Sequence, residues 1–105
     1  MTRQHRRTWQ KHEQRVAEQF GVTRTHSGEP GADVLSDWVV AECKSWRALP
    51  ARVEAALKQA EESADDSRLP IAVIHGVGRR YGEDLVVLRW KDFVDWFGKP
   101  LTNEE

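Results

Sequence analysis

GADVLSDWVVAECK, residues 31–44, is the stretch whose reading decides the fold. It reads as a hairpin. A short strand over 33–36 carries Asp33, a tight turn falls at Ser36-Asp37, and a longer strand over 38–44 ends in Glu42-Cys43-Lys44. Side chains alternate along a strand. Glu42 and Lys44 therefore share one face with Val40, and Cys43 shares the other with Val39 and Ala41. Two acids and a lysine thus stand at the end of an apolar hairpin, where charge is costly to bury unless it is paired or holds a metal. That cost is the first reason to expect a site here.

The flanking elements follow from spacing. Trp9, Val16, Ala17 and Phe20 recur near helical intervals, so residues 3–20 read as a helix with Gly21 at its C-cap. Glu13 falls four residues after Trp9 and three before Val16, on or beside the buried stripe, whereas a solvated glutamate belongs opposite it. Residues 22–25 suit a short strand, and HSGEPG (26–31) a loop. After a connection over 45–50, residues 51–64 read as a helix with Val53, Ala56, Leu57 and Ala60 on one stripe. Asp65-Asp66-Ser67 ends it, as a turn rather than an acidic metal site.

Pro70 opens a strand over 71–75. Residues 76–84, three glycines with Arg79, Arg80 and Tyr81 between them, read as a mobile hairpin loop. A last strand covers 85–89. A final helix covers 90–97, with Trp90, Phe93, Val94 and Phe97 on one side and Gly98 and Pro100 to stop it. The order αβββαββα predicts an α/β fold, a central mixed β-sheet flanked by helices. It is expected as one domain over 1–105, with a basic N-terminal end at 1–7 and a frayed tail at 99–105.

The net charge of −1 argues against a uniformly basic nucleic-acid binder, but its distribution is uneven. Residues 1–15 hold Arg3, Arg6, Arg7, Lys11 and Arg15 against Glu13 alone, which leaves +4 there and −5 on the remainder. A basic arm on an acidic body can hold a phosphate backbone at near-zero net charge. One cysteine excludes an internal disulfide framework and suits a reducing compartment. No apolar run is long enough for a membrane span, and no signal-peptide core is present. Five tryptophans point to an aromatic core or interface.

Asp33 and Glu42 are the first candidate metal ligands. Mg²⁺ is hard, prefers oxygen, and is commonly held by one or two carboxylates with waters and substrate phosphates. Glu13 can supply a third carboxylate, and the main-chain carbonyl of Cys43 another oxygen. Lys44 would be a fixed positive charge that orients an attacking water or offsets charge on a phosphate in the transition state. Plainer readings stand beside these. Asp33 can be a turn residue after a glycine-rich loop, and Glu42 with Lys44 a solvent-facing i,i+2 pair on an edge strand. A lone E-x-K is short and common. Here it ends an apolar strand, an acid precedes it by nine residues, and a glutamate interrupts the stripe of a basic first helix.

Together these residues resemble the motif of the PD-(D/E)XK nucleases, with Gly31-Ala32-Asp33 in place of Pro-Asp and Glu42-Cys43-Lys44 as the (D/E)XK. Within that superfamily the layout resembles the archaeal-type Holliday-junction resolvases and their phage relatives. Those carry a helical glutamate near the N-terminus, matched by Glu13 in HEQRVAEQFG. They also carry a basic residue and a Ser-Gly loop before the aspartate, matched by Arg24 and Ser27-Gly28 in RTHSGEPGAD. The resemblance covers roughly residues 8–75. It implies that Glu13, Asp33 and Glu42 bind Mg²⁺, with Mn²⁺ able to substitute, that Lys44 is catalytic, and that Ser27 lies near the scissile phosphate. The implied activity is metal-dependent, structure-selective DNA cleavage, most specifically paired nicking of a four-way junction.

A C2 homodimer would present two matched sites to the near-twofold junction. The implied location is the cytoplasm of a bacterial, archaeal or phage-infected cell. Two other functions remain open. One is a repair or restriction-like nuclease cutting duplex, flap or single-stranded DNA; the other is a non-catalytic DNA-binding protein on the same fold. Ala32 departs from the family's proline, and the tryptophan-rich C-terminal helix has no counterpart in it.

The remaining candidates contact DNA rather than metal. Arg3, Arg6, Arg7 and Arg24 can bind phosphates, and sequence-blind binding is largely electrostatic. Gln59 on the 51–64 helix is placed at the site or on the surface. Arg79 and Arg80, with Tyr81, either clamp DNA or decorate a hairpin tip. His5, His12, His26 and His75 form no ligand cluster by spacing, and Cys43 is expected in the core.

Overall fold

A helix whose apolar stripe stops at Phe20 must satisfy its last carbonyls, and the sequence Phe20-Gly21-Val22 does so. The computed structural model describes residues 3–24 and 33–98, with side chains from Trp9 onward, and in it α1 spans Arg3–Gln19. Gly21 adopts a φ of 72°, open to glycine at little cost. The Val22 N–H then reaches the Ala17 carbonyl at 3.0 Å and the Gly21 N–H reaches that of Glu18 at 3.1 Å. These two bonds make a Schellman cap, and they turn the chain back along α1.

By its contacts the chain divides into two compact units, Met1–Arg47 and Ala48–Glu105. The first holds α1 and the antiparallel pair β1 (Val34–Leu35) and β2 (Val40–Ala41), joined through residues 36–39. The Ser36 Oγ accepts the Val39 N–H at 3.0 Å and the Ser36 N–H donates to the Val39 carbonyl at 2.9 Å, closing the turn. α1 packs on β1 through a small core of Val16, Ala17, Val34 and Cys43, flanked by Phe20, Val22 and Ala41. Val34 is fully buried, which stabilises the unit by roughly 1.5–3 kcal/mol relative to an exposed valine.

The second unit holds α2 (Ala51–Ser63), β3 (Ala72–Ile74), β4 (Leu85–Val87) and α3 (Trp90–Phe97). Pro50 precedes α2 at a φ of −58°, the angle its ring imposes. Leu57 on α2 and Ala72 on β3 are buried, and α2 packs on β3. Asp65 accepts the Ser67 N–H at 3.0 Å and its hydroxyl at 2.8 Å, so the acidic pair after α2 closes a turn, as expected. β3 and β4 pair antiparallel, with Val73 opposite Val86.

The α/β class is as the sequence implies, but three expectations of detail change. In place of one mixed sheet, the described strands form two two-stranded antiparallel sheets, one per unit. The expected strand over 22–25 is reduced to a single bridge between Arg24 and Val34, with Thr25 outside the described residues. The strand expected over 38–44 ends at Ala41, because the Cys43 N–H is taken by the Asp33 side chain instead of a ladder carbonyl. The tryptophans do not build the core: Trp38, Trp46, Trp90 and Trp96 all keep roughly half of their surface in solvent. The loop over 76–84 has structure of its own. It contains a 3₁₀ turn at Tyr81–Glu83, an Arg79–Glu83 ion pair at 3.0 Å and a His75–Asp84 bond at 2.6 Å. No described helix is long and apolar enough to cross a membrane.

Candidate active site

Glu13 lies on α1 one turn before Val16 and Ala17, so helix geometry carries it into the same buried face. Its side chain is 2% exposed, the one buried charged residue among those described. One carboxylate oxygen, Oε1, accepts from Arg24 Nη1 at 3.2 Å. The other, Oε2, is buried with no hydrogen-bond partner among the described residues. Burial pushes the pKa of Glu13 above its ordinary value, and the nearby Asp33 carboxylate adds to this. Arg24 opposes the rise through its charge and its hydrogen bond, and Glu42 contributes a smaller upward push. An acid in this setting is short of positive charge.

Asp33 stands immediately before β1. Its Oδ2 accepts the Cys43 N–H at 2.7 Å, a short charge-assisted bond that ties the two arms of the hairpin together. Cys43 is buried, and its thiol is pushed up first by burial and then by Asp33, Glu13 and Glu42. It is held protonated and unreactive as a nucleophile. Glu42 and Lys44, just past the end of β2, stand on the outer face. They form an ion pair at 3.2 Å and are 55% and 62% exposed. Pairs so exposed contribute little to stability.

One end of the hairpin therefore gathers Glu13, Arg24, Asp33 and the Cys43 main chain, with Glu42 near enough to act on Glu13 electrostatically and Lys44 resting on Glu42. As the side chains stand, no three His, Cys, Asp or Glu among the described residues converge into a metal-holding group. The chemistry of the set nevertheless suits a hard cation. Glu13 Oε2 is an oxygen donor with no hydrogen-bond partner among the described residues, and two further carboxylates act on it. Glu13, Asp33, Glu42 and the Cys43 carbonyl are the groups that would hold such a cation.

Ser27 and His26 lie outside the described residues, as do the side chains of Arg3, Arg6 and Arg7, whose backbone is in the first turns of α1. Gln59 is exposed on α2, in the second unit. In the 76–84 loop of that unit, Arg79 is engaged by Glu83, while Arg80 is exposed and Tyr81, 82% exposed, lies against His75 with ring centres 4.9 Å apart. Two features escape a reading of spacing. Arg24 is the direct partner of Glu13, and His12 Nδ1 meets Ser45 Oγ at 3.4 Å, linking α1 to the segment after β2. His12 precedes Glu13 and Ser45 follows Lys44, so adjacency to the candidates was their only signal. Compared with known proteins, the chain matches no family model, no curated protein and no solved structure.

Proposed function

We propose that the protein is a metal-dependent, structure-selective DNA endonuclease of the PD-(D/E)XK type, acting as a Holliday-junction resolvase. The observation that carries this reading is Glu13, an acid buried on a basic helix beside the hairpin that bears Asp33 and the E-x-K, with one carboxylate oxygen unpartnered among the described residues. A structural glutamate has no need of such a place, and burying its charge works against folding.

Mg²⁺ held there would supply Lewis-acid polarisation of a phosphodiester and a water of lowered pKa. The chain's own groups do the rest. Glu13 and Asp33 supply oxygen donors from two elements tied together at the hairpin end. Glu42 adds a donor from the outer face, and Lys44, 62% exposed beside it, brings positive charge to the developing phosphorane oxygens. The basic residues of the first helix hold the phosphate backbone without reading sequence. Two copies related by a twofold axis would place paired sites on a four-way junction.

The test is cleavage of labelled four-way junction, flap and linear duplex, with Mg²⁺ and with chelator. Paired symmetric nicks confined to the junction are expected, and equal cutting of linear duplex would sink the resolvase assignment. The exposed Glu42–Lys44 pair favours a second reading, a non-catalytic DNA-binding protein on the same fold. Lys44→Ala separates the two. It should lose cleavage and keep junction binding if Lys44 is catalytic, whereas the second reading expects no cleavage by the parent protein with either Mg²⁺ or Mn²⁺.

A further inference from the structure

We propose that Arg24 is an exchangeable counter-ion for Glu13, holding the acid in the cation-free protein and passing to a substrate phosphate when a divalent cation takes its place. The exchange rests on the nuclease reading and adds to it a coupling between cation and nucleic-acid binding.

Glu13 is almost wholly buried, and its one hydrogen-bond partner among the described residues is a side chain, not backbone. That partner is held weakly: a single Nη1 contact at 3.2 Å, where Arg–carboxylate pairs are commonly bidentate and shorter. Only the backbone of Arg24 is pinned, by its bridge to Val34. Its side chain is 27% exposed, and Arg24 lines an open cavity of about 280 Å³ with Gln14, Glu18 and Thr23, so the side chain has room to swing outward. Glu18 already accepts the Gln14 amide at 3.3 Å, which lessens its pull on a departing guanidinium.

The electrostatics set the direction. A divalent cation at Glu13 Oε2 would stand within a few ångströms of the guanidinium in a poorly solvated setting, where like charges repel strongly. Arg24 then moves toward the cavity mouth and presents five donors in a fork that matches a phosphate. An arginine that serves the acid in one state serves the substrate in the other. By linkage, whatever the cation gains from releasing Arg24 toward DNA, DNA returns to the cation.

Titration calorimetry with Mn²⁺, without DNA, on the full chain tests the first half. Arg24→Gln should bind Mn²⁺ about tenfold tighter than wild type, the size of a typical coupling between two competing charges. Arg24→Lys, which keeps the charge, should stay near wild type, and Glu13→Gln should bind weakly. Wild-type binding with no gain in Arg24→Gln overturns the exchange alone. No binding by either protein overturns the exchange together with the metal-dependent reading. The second half is read from four-way junction affinity with and without Ca²⁺. Wild type should gain several-fold with the cation and Arg24→Gln should lose most of that gain; an undiminished gain overturns release to phosphate. In wild-type protein, the Arg24 Nε–H resonance should shift on saturation with Ca²⁺, and an unmoved resonance also overturns the exchange, whatever the variants do.

Discussion

Glu13 with Arg24 in the first unit, and Arg89 with Glu54 and Glu61 in the second, are both clusters of acid and arginine, yet they are built to opposite ends. Arg89 sits at the N-cap of α3 and reaches two glutamates two turns apart on one face of α2: Nη2 to Glu54 at 2.8 Å and Nε to Glu61 at 2.9 Å. All three side chains keep about a third of their surface in water. The hydrogen bond from Arg89 holds the Glu54 carboxyl below its usual range, and the two glutamates hold the guanidinium's proton more firmly still. Glu13 is buried, has one long bond, and is pushed upward instead. The Arg89 cluster is a satisfied clamp that joins α2 to the start of α3. The Glu13 cluster leaves a deficit of positive charge, which a binding site can use and a clamp does not need. An orphaned oxygen alone does not make the difference. Asp92 Oδ2 is also unpartnered, but Asp92 is the third residue of α3, where the helix N-terminus favours an acid.

Replacing the two acids should therefore move activity and stability in opposite senses. The largest effect is expected for Glu13→Gln. Junction cleavage with Mg²⁺ should fall at least about a hundredfold, while the melting temperature in chelator at neutral pH rises, because a buried charge that Arg24 only partly offsets is gone. Retained cleavage, or a lowered melting temperature, would break the contrast. Arg89→Ala should do the reverse. Scanning calorimetry should show melting lowered by several degrees, and cleavage per folded molecule should be unchanged.

A smaller effect is the pH dependence, and here the two clusters should show opposite slopes. Folded Glu13 holds its proton more tightly than the unfolded chain does. That contribution to stability is complete below the ordinary glutamate range and is lost as pH rises through the folded value. Folded Glu54 releases its proton more readily. Its contribution is present above the ordinary range and is lost as pH falls through the folded value. In urea denaturation with chelator, Glu13→Gln should gain on wild type as pH rises from about 3 to 8. The deficit of Glu54→Gln should close as pH falls; parallel curves would remove the distinction. Least is expected of Gly21→Ala, which meets no atom within 4 Å and carries only the strain of a φ of 72°, roughly 1 kcal/mol. Its use is to loosen the turn that brings Arg24 back to Glu13. A shift in Mn²⁺ affinity accompanying that small destabilisation would show that the cap positions the pair.

Much of this was legible in advance, for reasons that differ by residue. The three helices are found where spacing puts them, because a 3.6-residue period survives in a linear sequence. Glu13 announced itself by interrupting an apolar stripe. Cys43 inward with Glu42 and Lys44 outward also followed from alternation, but the inference drawn from it did not hold in one respect. The burial cost expected at the hairpin end falls on Glu13, since Glu42 and Lys44 stand in solvent. The Arg89 clamp was not legible, because Glu54, Glu61 and Arg89 are brought together by packing across 28 and 35 residues of chain.

Local order is what the sequence by itself determined: three amphipathic helices, a hairpin with its faces assigned, a glycine that ends α1, and an acid placed on a buried stripe. These depend on neighbours within a turn or a strand, where covalent geometry decides which side chains share a face. The tertiary structure alone decided how charge is compensated. Whether Glu13 meets Arg24, whether Asp33 binds a backbone amide, and whether Glu42 and Lys44 face water depend on distances between elements. Coulombic and desolvation energies vary with those distances and with burial, neither of which is written in residue order.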